Sequence, residues 1–246
     1  MDPTEARSVA TAVVVIPTYN ERDNIARLIR DVRALGYRVL VVDNGSPDGT
    51  GAIVDQLAVA DQGVSCIQRE KKSGIGPAYA AGFAHVISQG ESTICQMDAD
   101  YSHDPVSLPT LVEAIENGAD LAIGSRYIAG GSAPDWHWIR RLISTGGNLY
   151  ARTLLRVGIR DMTGGFLAWS RGGLAAADPG SSHASGYAFQ VETAWRAVRA
   201  GCTVVEHPIT FSDRVAGTSK MDLAIVLETT RLVTGWGIRR ITGRLR

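Results

Sequence analysis

Asp98 and Asp100, two aspartates separated by a single alanine, are the residues of this sequence whose type and spacing most clearly suit chemistry. Two carboxylates that close together repel each other unless a cation or hydrogen-bond donors lie among them. Mg²⁺ typically binds one or two protein carboxylates and fills its remaining positions with water and substrate phosphate oxygens. The pair therefore predicts a site for a divalent cation and a phosphorylated substrate, although solvated turns also contain such pairs.

Three other polar segments follow apolar runs, and each contains a side chain that suits a nucleotide. Pro17–Glu21 supplies a tyrosine ring and a glutamate, Asp43–Ser46 begins with an aspartate, and Gly124–Arg126 ends in an arginine. An acid at the end of a strand can accept hydrogen bonds from ribose hydroxyls, and a guanidinium matches the geometry of phosphate. The Asn-Gly pair of the second segment equally favours a simple turn.

Alternating strand and helix patterns position these segments. The apolar runs have the length and composition of strands buried on both faces, and helical patterns lie between them. The runs are Ala12–Ile16, Val39–Val42, Val64–Ile67, Thr93–Met97 and Leu121–Ile123. This order predicts an α/β fold with a Rossmann-like, mostly parallel sheet flanked by helices, in which the carboxyl ends of the strands meet at one edge. The polar segments would therefore converge at that edge.

The second half of the chain is less regular. We expect a helix over Ile139–Leu155, a strand over Thr163–Ser170, a helix over Tyr187–Ala200, a strand over Thr203–Glu206 and a final helix from Met221. The final helix has an apolar face and carries several arginines, so it is predicted to be basic and amphipathic. The whole pattern predicts a single domain with a C-terminal amphipathic helix.

Composition excludes several classes of protein. The 246 residues contain 25 Lys+Arg and 25 Asp+Glu, so the chain is not a strongly basic nucleic-acid binder. The three cysteines, Cys66, Cys95 and Cys202, have the spacing of neither a zinc site nor a disulfide framework. We see no apolar run near the ~20 residues that span a bilayer, and the polar N-terminus is unlike a secretory signal. A cytoplasmic protein is expected.

Seven segments resemble the dolichol-phosphate (polyprenol-phosphate) mannose synthases, which are inverting family 2 glycosyltransferases with a GT-A fold. They are VVIPTYNERDNI, VVDNGSPDGTG, QMDADYSHDP, AIGSRYIAGG, DMTGGFLAWSR, GYAFQVE and PITFSDRVAGTSKM, in the expected order over residues 12–222. The first and third segments are shared across the superfamily, whereas the AIGSRY, TGGF and RVAGTSKM runs are more specific to the polyprenol-phosphate branch. The resemblance implies transfer of mannose from GDP-mannose to polyprenyl phosphate, with Mg²⁺ or Mn²⁺ as cofactor.

The resemblance also implies how the chain is divided. Residues 1–11 would be a flexible arm, and residues 12–220 a GT-A domain. Within that domain, residues 12–125 would form the nucleotide-sugar half and residues 126–220 the acceptor half. Residues 221–246 would form the basic amphipathic helix and tail.

Site residues are implied position by position. The guanosine would be held by Pro17, Tyr19, Glu21, Val41 and Asp43. The metal and the sugar diphosphate would be carried by Asp98, Ala99 and Asp100. Ser102 stands where some relatives supply a glutamine to the metal, which leaves the third protein ligand open.

Cations complete the implied site. Arg126 would face the donor or acceptor phosphate, and Arg214 and Lys220 match an RxxGxSK loop that closes over the site and binds phosphate. The implied catalytic residues are thus Asp100, Arg126, Arg214 and Lys220. A lipid phosphate is already an anion, so its attack needs no general base. Instead the metal and the cations must relieve repulsion between the two phosphorylated substrates.

One position departs from the family pattern. Relatives usually have two adjacent aspartates after the second strand, whereas here Asn44 follows Asp43. An asparagine keeps the hydrogen-bonding geometry but loses a negative charge. The preference for the donor base, or the affinity for it, is therefore open to change.

Tryptophan and arginine in the second half suggest a membrane contact. Trp136 and Trp138 lie in a Gly/Pro-rich loop, and Trp236 lies in the final helix among arginines. Such residues suit a membrane interface, and ordinary packing on the core is the alternative. We expect peripheral attachment to the cytoplasmic face of a membrane, with a separate membrane-anchor protein as a possible partner and no nucleic acid.

Three other functions compete with mannosyl transfer to a lipid phosphate. The same scaffold could use another nucleotide sugar such as UDP-glucose, or the chain could be a non-catalytic nucleotide-binding subunit. Transfer to a soluble hydroxyl acceptor would require a carboxylate base near the anomeric carbon, and the sequence indicates no residue for that role. The intact acids and cations argue against a non-catalytic subunit.

Overall fold

The computed structural model describes residues 12–182, 184, 186–213 and 223–242. Seven strands form one sheet: β1 (Ala12–Thr18), β2 (Arg38–Asp43), β3 (Val64–Gln68), β4 (Thr93–Gln96), β5 (Leu121–Ser125), β6 (Leu167–Ser170) and β7 (Val204–Pro208). Eight α-helices accompany it in the described part of the chain: α1 (Arg22–Ala34), α2 (Thr50–Ala60), α3 (Ile75–Ser88), α4 (Leu108–Glu116), α5 (Trp138–Leu155), α6 (Arg171–Ala177), α7 (Tyr187–Arg199) and α8 (Leu223–Ile241). Two short 3₁₀ helices cover Pro105–Ser107 and Pro179–Ser181.

The strands follow the order β3-β2-β1-β4-β6-β5-β7. Neighbouring strands pair in parallel except at β6, which is antiparallel to both β4 and β5. The predicted α/β fold with a mostly parallel sheet is therefore confirmed. The reversal at β6 and the short helix α6 were not predicted from the sequence.

The strand predicted over Thr163–Ser170 is wrong in its first half, because β6 begins only at Leu167. The segment before it is held by a side chain rather than by a neighbouring strand. The Oδ1 atom of Asn148, on α5, accepts hydrogen bonds from the backbone N–H groups of Met162 and Thr163. This arrangement leaves Thr163 and Gly165 beside the cavity described below.

The first strand extends beyond the predicted run Ala12–Ile16, because β1 continues through Pro17 to Thr18. Pairing with β2 runs through Thr18, whereas pairing with β4 ends at Val15. Proline has no N–H with which to extend the ladder on the β4 side. Pro17 therefore ends the pairing of β1 with β4, whereas the pairing of β1 with β2 continues.

Helices cover both faces of the sheet, and each face has its own apolar core. One core joins Tyr79 and Phe83 of α3 and Trp169 of β6 to residues of α5, α7 and α8. The other joins Ile25 and Leu28 of α1 to Leu111 of α4 and to the opposite faces of the strands. The two cores fix the strand ends, and so the polar segments that follow them.

The C-terminal helix α8 packs on the body of the molecule. Trp236 is only 9% exposed, and its ring stacks on Trp195 of α7 with centroids 5.8 Å apart. Trp136 is buried as well, whereas Trp138 is 66% exposed. Packing on the core, rather than contact with a membrane, is therefore the correct interpretation for Trp136 and Trp236. None of the described helices is long and apolar enough to cross a membrane.

Candidate active site

A cavity of about 510 Å³ opens at the carboxyl ends of β1, β2 and β4. This volume lies within the range of ~300–1,000 Å³ that is usual for ligand sites. Most of the predicted site residues line it, namely Pro17, Tyr19, Glu21, Asp98, Ala99, Asp100, Ser102 and Arg126. The convergence expected at one edge of the sheet is thus found.

Asp98 and Asp100 are held in place by the loop that follows β4. The backbone N–H of Ser102 donates to Oδ1 of Asp100 at 3.0 Å, and Tyr101 between them has a left-handed backbone with φ of 60°. The hydroxyl of Tyr79 lies 3.5 Å from Oδ1 of Asp98. Burial, followed by the nearby charge of Asp98, raises the pKa of Tyr79 well above its ordinary value. Tyr79 is therefore a neutral donor to Asp98.

His103 supports the same loop from behind. Its Nδ1 accepts a hydrogen bond from the backbone N–H of Asp98 at 3.3 Å, and its ring stacks on Phe166 with centroids 5.0 Å apart. Burial lowers the pKa of His103 to about 4, so the imidazole is neutral near pH 7. The Nδ1 atom of this neutral imidazole therefore serves to position the backbone of Asp98.

The donor set at Asp98 and Asp100 fits a hard divalent cation. Both carboxylates line the cavity, and carboxylate oxygens are the ligands that Mg²⁺ prefers, with Mn²⁺ accepting the same set. Within the described residues, no group of three or more His, Cys, Asp and Glu side chains forms a complete metal site. A cation here would therefore need substrate phosphate oxygens or water as further ligands.

Val41 and Asp43, which were predicted to hold the nucleoside, do not line the cavity. Val41 is fully buried in the sheet. The carboxylate of Asp43 accepts hydrogen bonds from the Thr18 hydroxyl at 2.7 Å and from both the backbone and the hydroxyl of Ser46. The turn interpretation of this segment is therefore correct, and a nucleoside contact by Val41 or Asp43 stays a prediction.

Asn44 does line the cavity, beside a cation. Its Oδ1 accepts a hydrogen bond from Arg69 at 3.1 Å, and its Nδ2 donates to the Gly74 carbonyl at 3.4 Å. On the facing side, the Lys72 ammonium lies 4.2 Å from the ring centroid of Tyr19. Two basic side chains that sequence reasoning missed thus lie at this part of the cavity, Lys72 in its lining and Arg69 bound to Asn44.

Arg126 reaches the cavity as half of a buried ion pair. Its Nε and one terminal nitrogen donate to the two carboxylate oxygens of Asp161 at 2.7 and 2.6 Å. The same terminal nitrogen donates to the hydroxyl of Thr163, which also lines the cavity. Sequence reasoning missed Asp161 as a partner, although a lone acid ahead of Gly164 and Gly165 was a usable signal.

Trp136 and Arg140 were also missed as cavity residues. The Arg140 guanidinium lies 4.2 Å from the Trp136 ring centroid, and one of its terminal nitrogens donates to Asp213 at 2.8 Å. Nε of Arg140 and Nε1 of Trp136 are buried and find no hydrogen-bond partner among the described residues. Buried donors are rarely left unsatisfied, so this corner of the cavity suits an anion.

Arg214 and Lys220 lie outside the described residues, but the chain that leads to them is well placed. The backbone N–H of Ser212 donates to the Ser102 carbonyl at 3.3 Å. The next residue, Asp213, is bound by Arg140 and by Asp135. Ser212, the residue before Asp213, therefore contacts the Asp98–Ser102 loop.

The sequence is similar to those of known proteins. The family model Glycosyl transferase family 2 matches residues 13–175. The polyprenol monophosphomannose synthase of Mycolicibacterium smegmatis is 45% identical over 247 residues, which cover 99% of this chain and 92% of that protein. An undecaprenyl-phosphate mannosyltransferase of Micrococcus luteus is 42% identical over 228 residues, 92% of this chain and 93% of that protein.

Among solved structures, the fold is similar to glucosyl-3-phosphoglycerate synthase from Mycobacterium tuberculosis in complex with uridine diphosphate. The TM-score is 0.66 at 18% identity, and the match covers 93% of this chain and 80% of that one. The same enzyme in complex with Mn²⁺, uridine-diphosphate-glucose and phosphoglyceric acid also matches with a TM-score of 0.66. The likeness confirms the predicted GT-A type of fold. By its family match and its two sequence relatives, the chain belongs to glycosyl transferase family 2 and is a homologue of the polyprenol monophosphomannose synthases.

Proposed function

We propose that the protein transfers mannose from GDP-mannose to a polyprenyl phosphate with inversion, and releases GDP. The observation that carries the proposal is one cavity lined by two kinds of groups, acidic and basic. Asp98 and Asp100 suit a metal-bound donor diphosphate, and the unsatisfied donors of Trp136 and Arg140 suit a second phosphate. Two mannosyltransferase relatives above 40% identity support the sugar and the class of acceptor.

The acceptor phosphate is proposed to bind at Trp136 and Arg140. The buried Nε atom of Arg140 and Nε1 of Trp136 would donate to its oxygens, and Arg126 lies next to them with its guanidinium 5.1 Å from the Trp136 ring centroid. The ion pair with Asp161 fixes the direction of Arg126. A phosphate bound at this corner would be oriented by groups that are already in place.

The chemical step is a displacement at the anomeric carbon. A phosphate oxygen of the acceptor forms the new bond to that carbon, and the bond to the GDP oxygen breaks on the opposite face. A phosphate monoester is largely ionised at pH 7, so its oxygen attacks without a general base. A Mg²⁺ or Mn²⁺ ion at Asp98 and Asp100 would supply charge neutralisation for the diphosphate.

Contact with a membrane is proposed to occur through α5 and α8. Nine of the eleven large apolar side chains that are exposed in the described residues lie on these two helices. They are Trp138, Ile139, Leu142, Ile143, Leu149, Tyr150, Leu227, Ile238 and Ile241. Arginines flank them at Arg141, Arg156 and Arg239, and such a surface suits anionic lipid headgroups. We therefore propose that the membrane contact expected at Trp236 is made instead by residues at the start of α5.

Vesicle co-sedimentation tests this surface. The double variant Trp138→Ser/Leu142→Ser should bind vesicles of anionic phospholipid at least about tenfold more weakly, because it removes apolar area from the interface. Val59→Ser, which changes an even more exposed apolar side chain on α2, is the control and should bind like the wild type. Equal binding by the double variant would contradict the proposed surface.

A transfer assay tests the activity. The purified chain is incubated with labelled GDP-mannose or labelled UDP-glucose, polyprenyl phosphate and Mg²⁺, and lipid is extracted into organic solvent. We expect label in the organic phase with GDP-mannose only. Equal labelling from UDP-glucose would favour the alternative donor, and transfer to a water-soluble alcohol but not to the lipid would overturn the proposed acceptor.

A further inference from the structure

The cavity continues from the corner of Trp136 and Arg140 into a groove between α5 and α8. Ile143, Gly147 and Tyr150 line it from α5, and Val226, Thr230 and Val233 line it from α8. This set of six residues is called here the α5–α8 groove. Apart from the Thr230 and Tyr150 hydroxyls, the side chains of these six residues are apolar or absent. Ser144, Ala151 and Thr229 line the same stretch of the cavity and add two more hydroxyls, but none of these nine residues is charged, unlike those at the acidic end of the cavity.

The described residues of the two helices are in close contact at the far end of the groove. The Tyr150 hydroxyl and the Thr234 hydroxyl lie 2.7 Å apart. One turn further on, α8 approaches so closely that a Cβ atom on Gly237 would lie 2.4 Å from Leu154. Toward the start of both helices, by contrast, a Cβ atom on Gly147 would meet no atom of the described residues within 4 Å. The groove is therefore open beside Gly147 and closed beyond Tyr150.

We infer that the α5–α8 groove binds the phosphate-proximal isoprene units of the lipid acceptor, a deepening that rests on the proposed function. The polar corner sets the direction, because a phosphate held by Arg140 places the attached carbon chain at the mouth of the groove. The groove runs for seven residues of α5, a length of ~10 Å. That length is short compared with a long polyprenyl chain, so the remainder of the chain stays with the lipid phase.

The apolar surface outside the groove supports this occupant over a soluble one. Ile143 is 46% exposed and Leu227, beside Val226, is 62% exposed. Both belong to the surface that is proposed to face the membrane. An isoprenoid chain that leaves the groove would therefore pass from one apolar environment to another, without crossing water.

Two adjacent glycines of α5 give a matched test. At both Gly146 and Gly147, a Cβ atom would have no neighbour within 4 Å in the part of the chain that the structure describes. Gly147 lines the α5–α8 groove, whereas Gly146 faces a different depression beside Leu149 and Arg240. Replacing a glycine within a helix favours the helix, so neither Gly146→Leu nor Gly147→Leu is expected to unfold the protein.

The first measurement is the KM for the acceptor. Gly147→Leu should raise the KM for both a two-isoprene phosphate and undecaprenyl phosphate at least about tenfold, and Gly147→Ala should raise it less. The KM for GDP-mannose should not change, and Gly146→Leu should behave like the wild type. An unchanged acceptor KM in Gly147→Leu, or an equal effect of Gly146→Leu, would overturn the inference.

The second measurement needs no turnover and separates the inference from the proposed function. A prenyl phosphate with a benzophenone on its second isoprene unit is photolysed with the full-length protein in detergent. We expect labelled peptides from α5 and α8 in the wild type and in Gly146→Leu, and much less label in Gly147→Leu. Labelling without mannose transfer would support the α5–α8 groove as the binding site and refute the proposed transferase activity. Transfer without labelling of these helices would refute the groove.

Discussion

The carboxylate of Asp161 binds Arg126 at three points. One oxygen accepts from the backbone N–H of Arg126 at 2.9 Å and from its Nε at 2.7 Å, and the other accepts from a terminal nitrogen at 2.6 Å. Both side chains are buried, the carboxylate completely. Removing one partner of a buried pair leaves the other charge without compensation. Asp161→Ala should therefore lower the free energy of unfolding by about 3–5 kcal/mol, as measured by urea denaturation.

The pair of Arg33 and Asp61 is the control for that prediction. It has a similar separation of 2.8 Å but is much more exposed to solvent, where ion pairs contribute little. Asp61→Ala should shift the urea midpoint far less than Asp161→Ala does. Similar midpoints for the two variants would show that burial does not set the strength of the Arg126 pair.

We expect mannose transfer to require a divalent cation that is bound by the carboxylates in the cavity. A chelator should abolish mannose transfer, and added Mg²⁺ or Mn²⁺ should restore it. Asp100→Asn should reduce kcat/KM by at least about 10³-fold, because a neutral amide is a poor ligand for a hard cation. Asp104→Asn is a suitable control, since Asp104 lies in the same loop but only caps the 3₁₀ helix through the Val106 N–H. Full activity of Asp100→Asn in the presence of chelator would refute the metal site.

We expect the indole N–H of Trp136 to contribute to binding of the lipid acceptor and not to the stability of the fold. Trp136→Phe keeps a ring beneath Arg140 but removes the donor, which has no partner among the described residues. We expect the KM for polyprenyl phosphate to rise about three- to tenfold, the effect of one hydrogen bond of ~1 kcal/mol, with unchanged stability.

Trp169→Phe is the complementary variant. The indole of Trp169 donates to the buried Oε1 of Gln96 at 3.2 Å, so its loss leaves an acceptor unsatisfied. Stability should fall by ~1–3 kcal/mol, and the KM for the acceptor should stay the same. If Trp136→Phe were destabilising and left the KM unchanged, its N–H would have a structural role instead.

We expect Arg69 to determine how strongly the substitution Asn44→Asp changes the KM for GDP-mannose. Because its guanidinium already lies 3.1 Å from Oδ1 of Asn44, Asn44→Asp should change the KM for GDP-mannose by no more than about threefold. In an Arg69→Met background the new charge has lost that partner, and Asn44→Asp should raise the KM at least about tenfold. Additive effects in this double-mutant cycle would show that Arg69 does not compensate position 44.

Local sequence was sufficient to predict the strands and turns that carry Asp98, Asp100 and Glu21. The β-branched runs of β1, β2 and β4 and the turn-forming residues after them have only one consistent arrangement. In a parallel sheet the ends of neighbouring strands meet at the same edge, which is why Asp98, Asp100 and Glu21 could be placed together before any coordinates were known. Their motif spacing also indicated the family.

The positions of Arg126 and Arg140 depend on contacts between distant segments, which the spacing of residues in the sequence does not reveal. Arg140 lies 73 residues from Asp213 along the chain, and Asp161 lies 35 residues from Arg126. Backbone hydrogen bonds of Ser132 with Ile209 and Phe211 bring Asp213 to Arg140. The antiparallel pairing of β5 with β6 brings Asp161 to Arg126. Sequence by itself determined which chemical groups the protein has and which sheet edge carries them. Tertiary structure decided which of those groups face the cavity, because burial of Trp236 and Asp43 and exposure of α5 follow from the packing of distant segments.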